Sequence, residues 1–236
     1  MTRRGGRSVE CGGLENVAAL VDAPKAQQTE MRALNGEEAR ALLKVGEGDR
    51  LEALLVLALS TGMRSGEMLG LTWRAVNFER GAVSVIYSLQ PTLTGELVLM
   101  EPKTSRSRRV IDIEPRVVAV LRRHRAAQQM EQRVAGGDWV ESDLVFTSPT
   151  GSPLDGRILI RTWFRPLLKK AGLPPVRIHD LRHSYASIAL ALGVHPKVVQ
   201  EALGHSTIAI TLDLYSHVVP SLQREAAKEM GAALFG

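Results

Sequence analysis

A chain of 236 residues, 44% hydrophobic and 23% charged, has the composition of one large or two small globular domains and excludes a disordered or fibrous chain. No apolar run approaches 18 residues, the N-terminus is polar and basic, and Cys11 is the single cysteine, which excludes a membrane-spanning helix, a secretory signal and an internal disulfide framework. The single cysteine fits a protein of the reducing cytoplasm, and the net charge of +5 with a pI near 9.6 is a mild basic excess that does not by itself name a partner.

Residues 1–29, rich in glycine and scattered charge, read as a tail or interdomain linker. Order is expected from "LNGEEARALL", where Asn35 can accept from the free N–H groups of a helix over 36–45 and Glu37 and Glu38 suit its positive end. The run "LEALLVLAL" at 51–59 predicts a buried helix ended by Gly62, which puts Arg64 at a sharp corner before "GEMLGL". Three short β-branched segments, 82–88, 96–100 and 108–114, predict an antiparallel meander with Lys103 in its last connection. Pro115 opens a helix over 115–133 with an apolar stripe of Val117, Val118, Val120 and Leu121. "DLVFTS" reads as one more strand, and a helix over 157–171 ends at Gly172 before Pro174 and Pro175. Helices over 180–192, 196–203 and 207–215 follow, then a terminal helix within 221–236 with Leu222, Ala226, Met230 and Ala233 on one face. The pattern is α+β and mainly helical, with a small three-stranded antiparallel sheet.

Charge is concentrated between Glu101 and Arg125. Eight basic residues (Lys103, Arg106, Arg108, Arg109, Arg116, Arg122, Arg123 and Arg125) stand there against three acidic ones, which suits a polyanion. Reactive side chains gather in "RIHDLRHSYASIALALGVHPKVVQEALGHSTIAITLDLYSHV". His179 and Arg182 are three apart and share a face near a helix N-terminus, which outlines a phosphate site. His205 follows a helix-stopping glycine, ten residues before Tyr215.

Three other readings compete on the residues alone. His179 and His183 have the i, i+4 spacing of the helical zinc-protease motif, although Asp180 replaces its Glu base and Arg182 sets a cation beside the metal. "PKVVQEALGHSTIAITLDLY" has the helix-turn-helix look of a non-catalytic DNA reader, which leaves Arg64 and Lys103 without a role. A lone tyrosine or histidine is also an ordinary core residue.

Taken together, "TGMRSGE" at 61–67, "KTSRSRR" at 103–109, "HDLRH" at 179–183, "LGH" at 203–205 and "LDLYSHV" at 212–218 resemble the five signature segments of the tyrosine recombinases, the phage-integrase type of site-specific recombinase. They occur in the family's order, and the resemblance covers residues 30–220 as a catalytic domain. It implies Arg64 and Arg182 as paired phosphate-binding arginines, Lys103 as the hairpin lysine, His179 and His205 as the two histidine positions, and Tyr215 as nucleophile. Glu67 and Asp180 match supporting acidic positions, and Arg106, Arg108 and Arg109 are candidate DNA contacts. The implied reaction is DNA strand cleavage and rejoining through a 3′-phosphotyrosyl intermediate, with no metal, cofactor or ATP; type IB topoisomerase-like relaxation is the alternative. The implied partner is double-stranded DNA, bound by a homotetramer that is a monomer in isolation, with no membrane partner. Family members carry a helical core-binding domain before the catalytic one; residues 1–29 stand in its place, so that domain is expected to be absent, with "LENVAALVDAPK" resembling its tail end. The 221–236 helix is expected to dock on its own domain or, by the resemblance, on a neighbouring protomer.

Overall fold

The computed structural model describes residues 32–101, 108–215, 227–228 and 230–235, with the backbone alone for 213–215. The tail expected over 1–29, Lys103, Arg106 and, of the expected terminal helix, residues 221–226, 229 and 236 therefore lie outside the described residues.

Helix α1 (Gly36–Gly46) opens on a reciprocal cap: the Asn35 side chain accepts from the amides of Glu37 and Glu38, and Glu38 accepts from the Asn35 amide. Helix α2 (Glu52–Thr61) has no polar face; Ala53, Leu54, Leu55, Leu57 and Ala58 are all buried. A helix apolar on every side must be surrounded. Around it pack α1, α3 (Ser65–Leu69), α4 (Pro115–Ala135) and α7 (Asp180–Ala191). α4 starts as expected at Pro115, capped by Glu114, and buries Val117, Leu121, His124 and Gln128.

The sheet differs from the expected meander. β2 (Ala82–Val85) lies between β1 (Val76–Asn77) and β5 (Arg109–Asp112), antiparallel to both, while β3 (Ser88–Pro91) and β4 (Leu97–Met100) form a separate hairpin. The segment 82–88 breaks at Ile86 and Tyr87 because β3 is drawn onto α3. A Cβ at Gly66 would stand 2.6 Å from Ser88 Oγ, and one at Gly70 2.7 Å from the Leu89 nitrogen. Two glycines one helical turn apart thus give α3 a face bare enough to take the β3 backbone. The three-stranded antiparallel sheet is present, built from 76–77, 82–85 and 109–112.

"DLVFTS" is not a strand but a bent segment, buried from Leu144 to Thr147, with isolated bridges from Leu144 to Thr72 and from Thr147 to Pro153. Its carbonyls go to side chains of α4: His124 Nε2 lies 2.8 Å from Val145 O, and Gln128 Nε2 donates to Leu144 O and Val145 O. The expected 157–171 helix is α5 (Gly156–Leu159), a π turn over Ile160–Phe164 and α6 (Arg165–Lys170). Pro166 has no N–H for the Thr162 carbonyl, and the ladder before it shifts so that the Arg165 amide donates to Ile160 O.

α7, α8 (Pro196–Leu203) and α9 (Ile208–Tyr215) form a compact end with a small core of Ala186, Ala189, Leu190, Val199 and Leu203. Ser184 joins it to the start of the domain, donating to Asp180 O and accepting from the Leu34 amide. Residues 227–228 and 230–235 are helical, with Met230, Leu234 and Phe235 exposed. No helix among the described residues is long and apolar enough to cross a membrane.

Candidate active site

Two helix ends build the site. α2 stops at Gly62 (φ +61°) and α8 at Gly204 (φ +66°), both left-handed as expected of a helix-ending glycine. Each stop leaves carbonyls without helical partners at the negative end of a helix, where cations are favoured. Arg182, in the first turn of α7, donates to Gly62 O at 2.9 Å and Leu203 O at 2.7 Å. Arg64 reaches Gly204 O at 3.4 Å. The two arginines are therefore fixed by backbone from sequence 120 and 140 residues away.

Arg64 sits at the corner between α2 and α3, its backbone extended at the N-cap. Its amide donates to Glu67 Oε2 at 2.8 Å and its guanidinium to Glu67 Oε1 at 2.7 Å. Arg64 keeps 39% of its side chain exposed, whereas Arg182 is 3% exposed; an incoming anion meets Arg64 first and Arg182 lies beneath. Burial, and then Arg64, push the Arg182 guanidinium down to about 9, so it remains a cation at neutral pH.

Glu67 is buried, which alone would raise its carboxyl pKa. Hydrogen bonds and charge from Arg109, with those from Arg64, outweigh burial and hold it below the usual range. Arg109, a candidate DNA contact in the sequence, is turned away from the surface: its side chain is 7% exposed, its Nη1 and Nη2 donate to Glu67 at 3.2 and 2.9 Å, and its Nε donates to Ala202 O at 2.6 Å. The reason is its parity on β5, where the side chain turns inward onto α3 and the end of α8. Arg108, its neighbour, is exposed and pairs with Glu101.

His179 stands at the N-cap position of α7 without a side-chain capping bond, and its ring meets His183 edge to face with centroids 5.4 Å apart. Burial, then His183 and Arg182, lower the His179 pKa. Asp180, placed where the zinc-protease reading needs a base, has both carboxylate oxygens on Arg177 and caps the Arg177 amide. Its role is to shape the entry to α7. Among the described residues no group of three or more His, Cys, Asp or Glu could hold a metal ion.

His205 follows Gly204 and lies in the field of Arg182, Arg64, His183 and Arg109. Burial, and then those charges, bring its pKa down to about 4, which leaves a neutral imidazole at pH 7. Its Nδ1 is 2.9 Å from the hydroxyl of Thr211, which is fully buried in α9. That bond ties His205 to the helix that ends at Tyr215. Two apolar residues of α9, Ile210 and Leu212, are each 43% exposed. Positions 208, 210, 212 and 214 alternate with period two, so on a helix of 3.6 residues per turn they spread over two faces.

The structure thus brings Arg64, Glu67, Arg109, His179, Arg182, His183 and His205 together around the ends of α2 and α8. Tyr215 closes α9, its side chain outside the described residues, as are Lys103 and Arg106. Thr211 and the inward Arg109 were not separable in the sequence from an ordinary helical threonine and one more arginine in a basic run. Three guanidinium groups share one carboxylate here, an excess of positive charge that reaches the surface at Arg64 and can attract an oxyanion by charge and by forked donors.

The chain is a helical α+β domain with clustered arginines and histidines beside a helix ending in tyrosine. A model of the Phage integrase family matches residues 32–221, and the chain belongs to that family. It is similar to the tyrosine recombinase XerC-like protein of Caldanaerobacter subterraneus subsp. tengcongensis, 35% identical over 86% of this chain and 54% of that one. It is 34% identical to an integrase of Streptomyces ambofaciens over 89% of this chain and 56% of the relative. The chain thus spans about half the length of the curated relatives it matches. Among solved structures, the Tn1549 transposon integrase in complex with transposon right end DNA shares the fold at a TM-score of 0.72 and 21% identity, over 94% of this chain and 71% of that one. The XerA recombinase matches at a TM-score of 0.65 and 25% identity, over 84% and 65%.

Proposed function

We propose that this domain breaks and rejoins DNA strands as the catalytic part of a site-specific recombinase. The observation that carries the reading is the clamp around the ends of α2 and α8. There Arg64 and Arg182 are fixed on carbonyls of Gly204, Gly62 and Leu203, and His205 is bonded to the Tyr215-bearing helix. A phosphodiester resists attack because it is anionic, and two guanidinium forks with a histidine donor offset the charge that grows on its non-bridging oxygens. His205 Nδ1 is paired with the Thr211 hydroxyl, and in the tautomer in which that hydroxyl donates, the proton of neutral His205 sits on Nε2, where it can be given to a phosphate oxygen.

In the proposed step the Tyr215 oxygen forms a bond to phosphorus as the bond from phosphorus to the 5′ oxygen breaks. His179, kept neutral by burial and its cationic neighbours, takes the phenol proton, and Lys103 gives a proton to the departing 5′ oxygen. The phosphotyrosyl link conserves the bond energy, so a 5′-hydroxyl from a second duplex rejoins the strand without ATP. Arg106 and Arg108 are proposed backbone contacts beside Lys103. The proposed working unit is a homotetramer on double-stranded DNA in the cytoplasm, monomeric off DNA, with the exposed Met230, Leu234 and Phe235 covered by a neighbouring protomer.

The test needs no knowledge of the target. The protein is incubated, with and without EDTA, with a pool of nicked duplexes of randomised sequence, and protein-linked DNA is recovered after denaturation and sequenced. Adduct formation in EDTA that enriches one sequence is the expected result. Salt-sensitive DNA binding with no adduct would instead support a non-catalytic DNA reader.

A further inference from the structure

We infer that Arg109 is a positioning residue of the active site, serving as the counter-cation of Glu67 so that the charge of Arg64 stays available to the phosphate. The inference rests on the proposed function for the identity of the phosphate, and its geometry stands apart from it.

Glu67 binds Arg64 twice, once through the amide and once through the guanidinium, which fixes Arg64 at its corner. That arrangement carries a penalty: a carboxylate 2.7 Å from the guanidinium cancels the charge an oxyanion site needs. Arg109 removes the conflict. Both its Nη atoms are on the Glu67 carboxylate, and the pair is almost wholly enclosed, at 7% and 4% exposure. With Arg109 present, the triad of Arg64, Glu67 and Arg109 carries one net positive charge; without it, the remaining pair is neutral. The same side chain orders the other half of the site, because its Nε holds Ala202 O at 2.6 Å and its carbon chain and fork pack against the Cα of Gly204, where a Cβ would meet Arg109 Cδ at 3.2 Å. One arginine from β5 therefore touches both supports of the clamp: the carboxylate that orients Arg64 and the turn that presents His205.

Lysine cannot replace it, since one ammonium cannot bind two carboxylate oxygens and Ala202 O in these directions. A loss of charge is a different defect from a loss of fold, and a second substitution separates them. Arg109→Gln leaves Glu67 opposite Arg64 alone, whereas Arg109→Gln with Glu67→Gln removes both charges and restores the positive excess at Arg64.

The experiment measures the rate of adduct formation at saturating DNA, together with Tm and the titration of the His205 ring by NMR, for wild type, R109Q, R109K and R109Q/E67Q. R109Q is expected to slow adduct formation about 100-fold, R109K to fall between, and R109Q/E67Q to recover about tenfold over R109Q. His205 faces Arg64 from α3, Arg109 from β5, and Arg182 and His183 from α7. Removing Arg109 should therefore raise the His205 midpoint in DNA-free protein. A double variant no faster than R109Q, with the His205 midpoint unmoved, overturns the inference and leaves Arg109 a packing residue. If wild type forms no adduct, the proposed function fails while the NMR arm still decides the electrostatic role. If R109Q does not fold, R109K and the double variant carry the same comparison.

Discussion

Thr211→Val tests the contact on which the position of the Tyr215 helix depends. The exchange keeps the shape of a fully buried side chain and removes one hydroxyl, the partner of His205 Nδ1 at 2.9 Å. Leaving a buried polar atom unpaired costs about 1–3 kcal/mol. Two outlets exist for that cost: His205 changes its tautomer, or α9 moves away from the turn. Either reaches the chemistry, the first by taking the proton from Nε2 and the second by displacing Tyr215. If the whole cost appears in the barrier, the rate falls by about 5-fold to about 150-fold, at about tenfold per 1.36 kcal/mol. Ile210 and Leu212, each 43% exposed, are less enclosed than Thr211. The assay is single-turnover adduct formation with T211S, which retains the hydroxyl, as control. A T211V rate within twofold of wild type, with T211S equal to both, would refute the idea that this bond docks the helix.

Gly62→Ala should lower Tm by about 5–15 °C. The left-handed backbone costs a non-glycine residue about 1–2 kcal/mol, and the new Cβ would stand 2.6 Å from both Leu203 Cδ2 and Tyr185 Cδ1; differential scanning calorimetry reads the shift, and an unchanged Tm contradicts it. The three site histidines have folded pKa values lowered from 6.5, His205 to about 4, so they bind protons more readily unfolded. Their contribution is complete above the unfolded pKa and is lost as pH falls from 6.5 towards 4; lowered Glu67 adds to the loss below 4.5. Stability measured by urea titration should therefore fall steadily from pH 7 to pH 4, and His205→Asn should flatten part of that slope. Arg108→Ala, at an exposed ion pair, should leave Tm within about a degree, since such pairs contribute little, while DNA affinity declines and its salt dependence becomes shallower.

Features governed by local chemistry were legible in the sequence. The Asn35 cap, the stops at Gly62 and Gly204 and the Pro115 and Pro196 starts each follow from one residue's backbone preference, and the structure has them there. Strand pairing was not legible. Segment 82–88 satisfies β propensity throughout, and what divides it is a glycine face on α3, a contact that no window along the strand contains. The same holds for Arg109. A basic run suggests a polyanion whether its members face out or in, and only the fold shows that Arg108 is exposed while Arg109 is spent on Glu67. On α9 the apolar residues recur with a period of two that does not fit one helix face, and the contact with His205 is made by a buried threonine that no sequence pattern marks.

The proposed reaction passes through a covalent bond between Tyr215 and DNA. Adducts from the nicked-duplex pool can be digested with trypsin and nuclease and the nucleotide-bearing peptide sequenced by mass spectrometry. The predicted result is a 3′-nucleotide on Tyr215 in the wild type, formed in EDTA, and no adduct in Tyr215→Phe. An adduct that maps to another residue, or that persists in Tyr215→Phe, would contradict it.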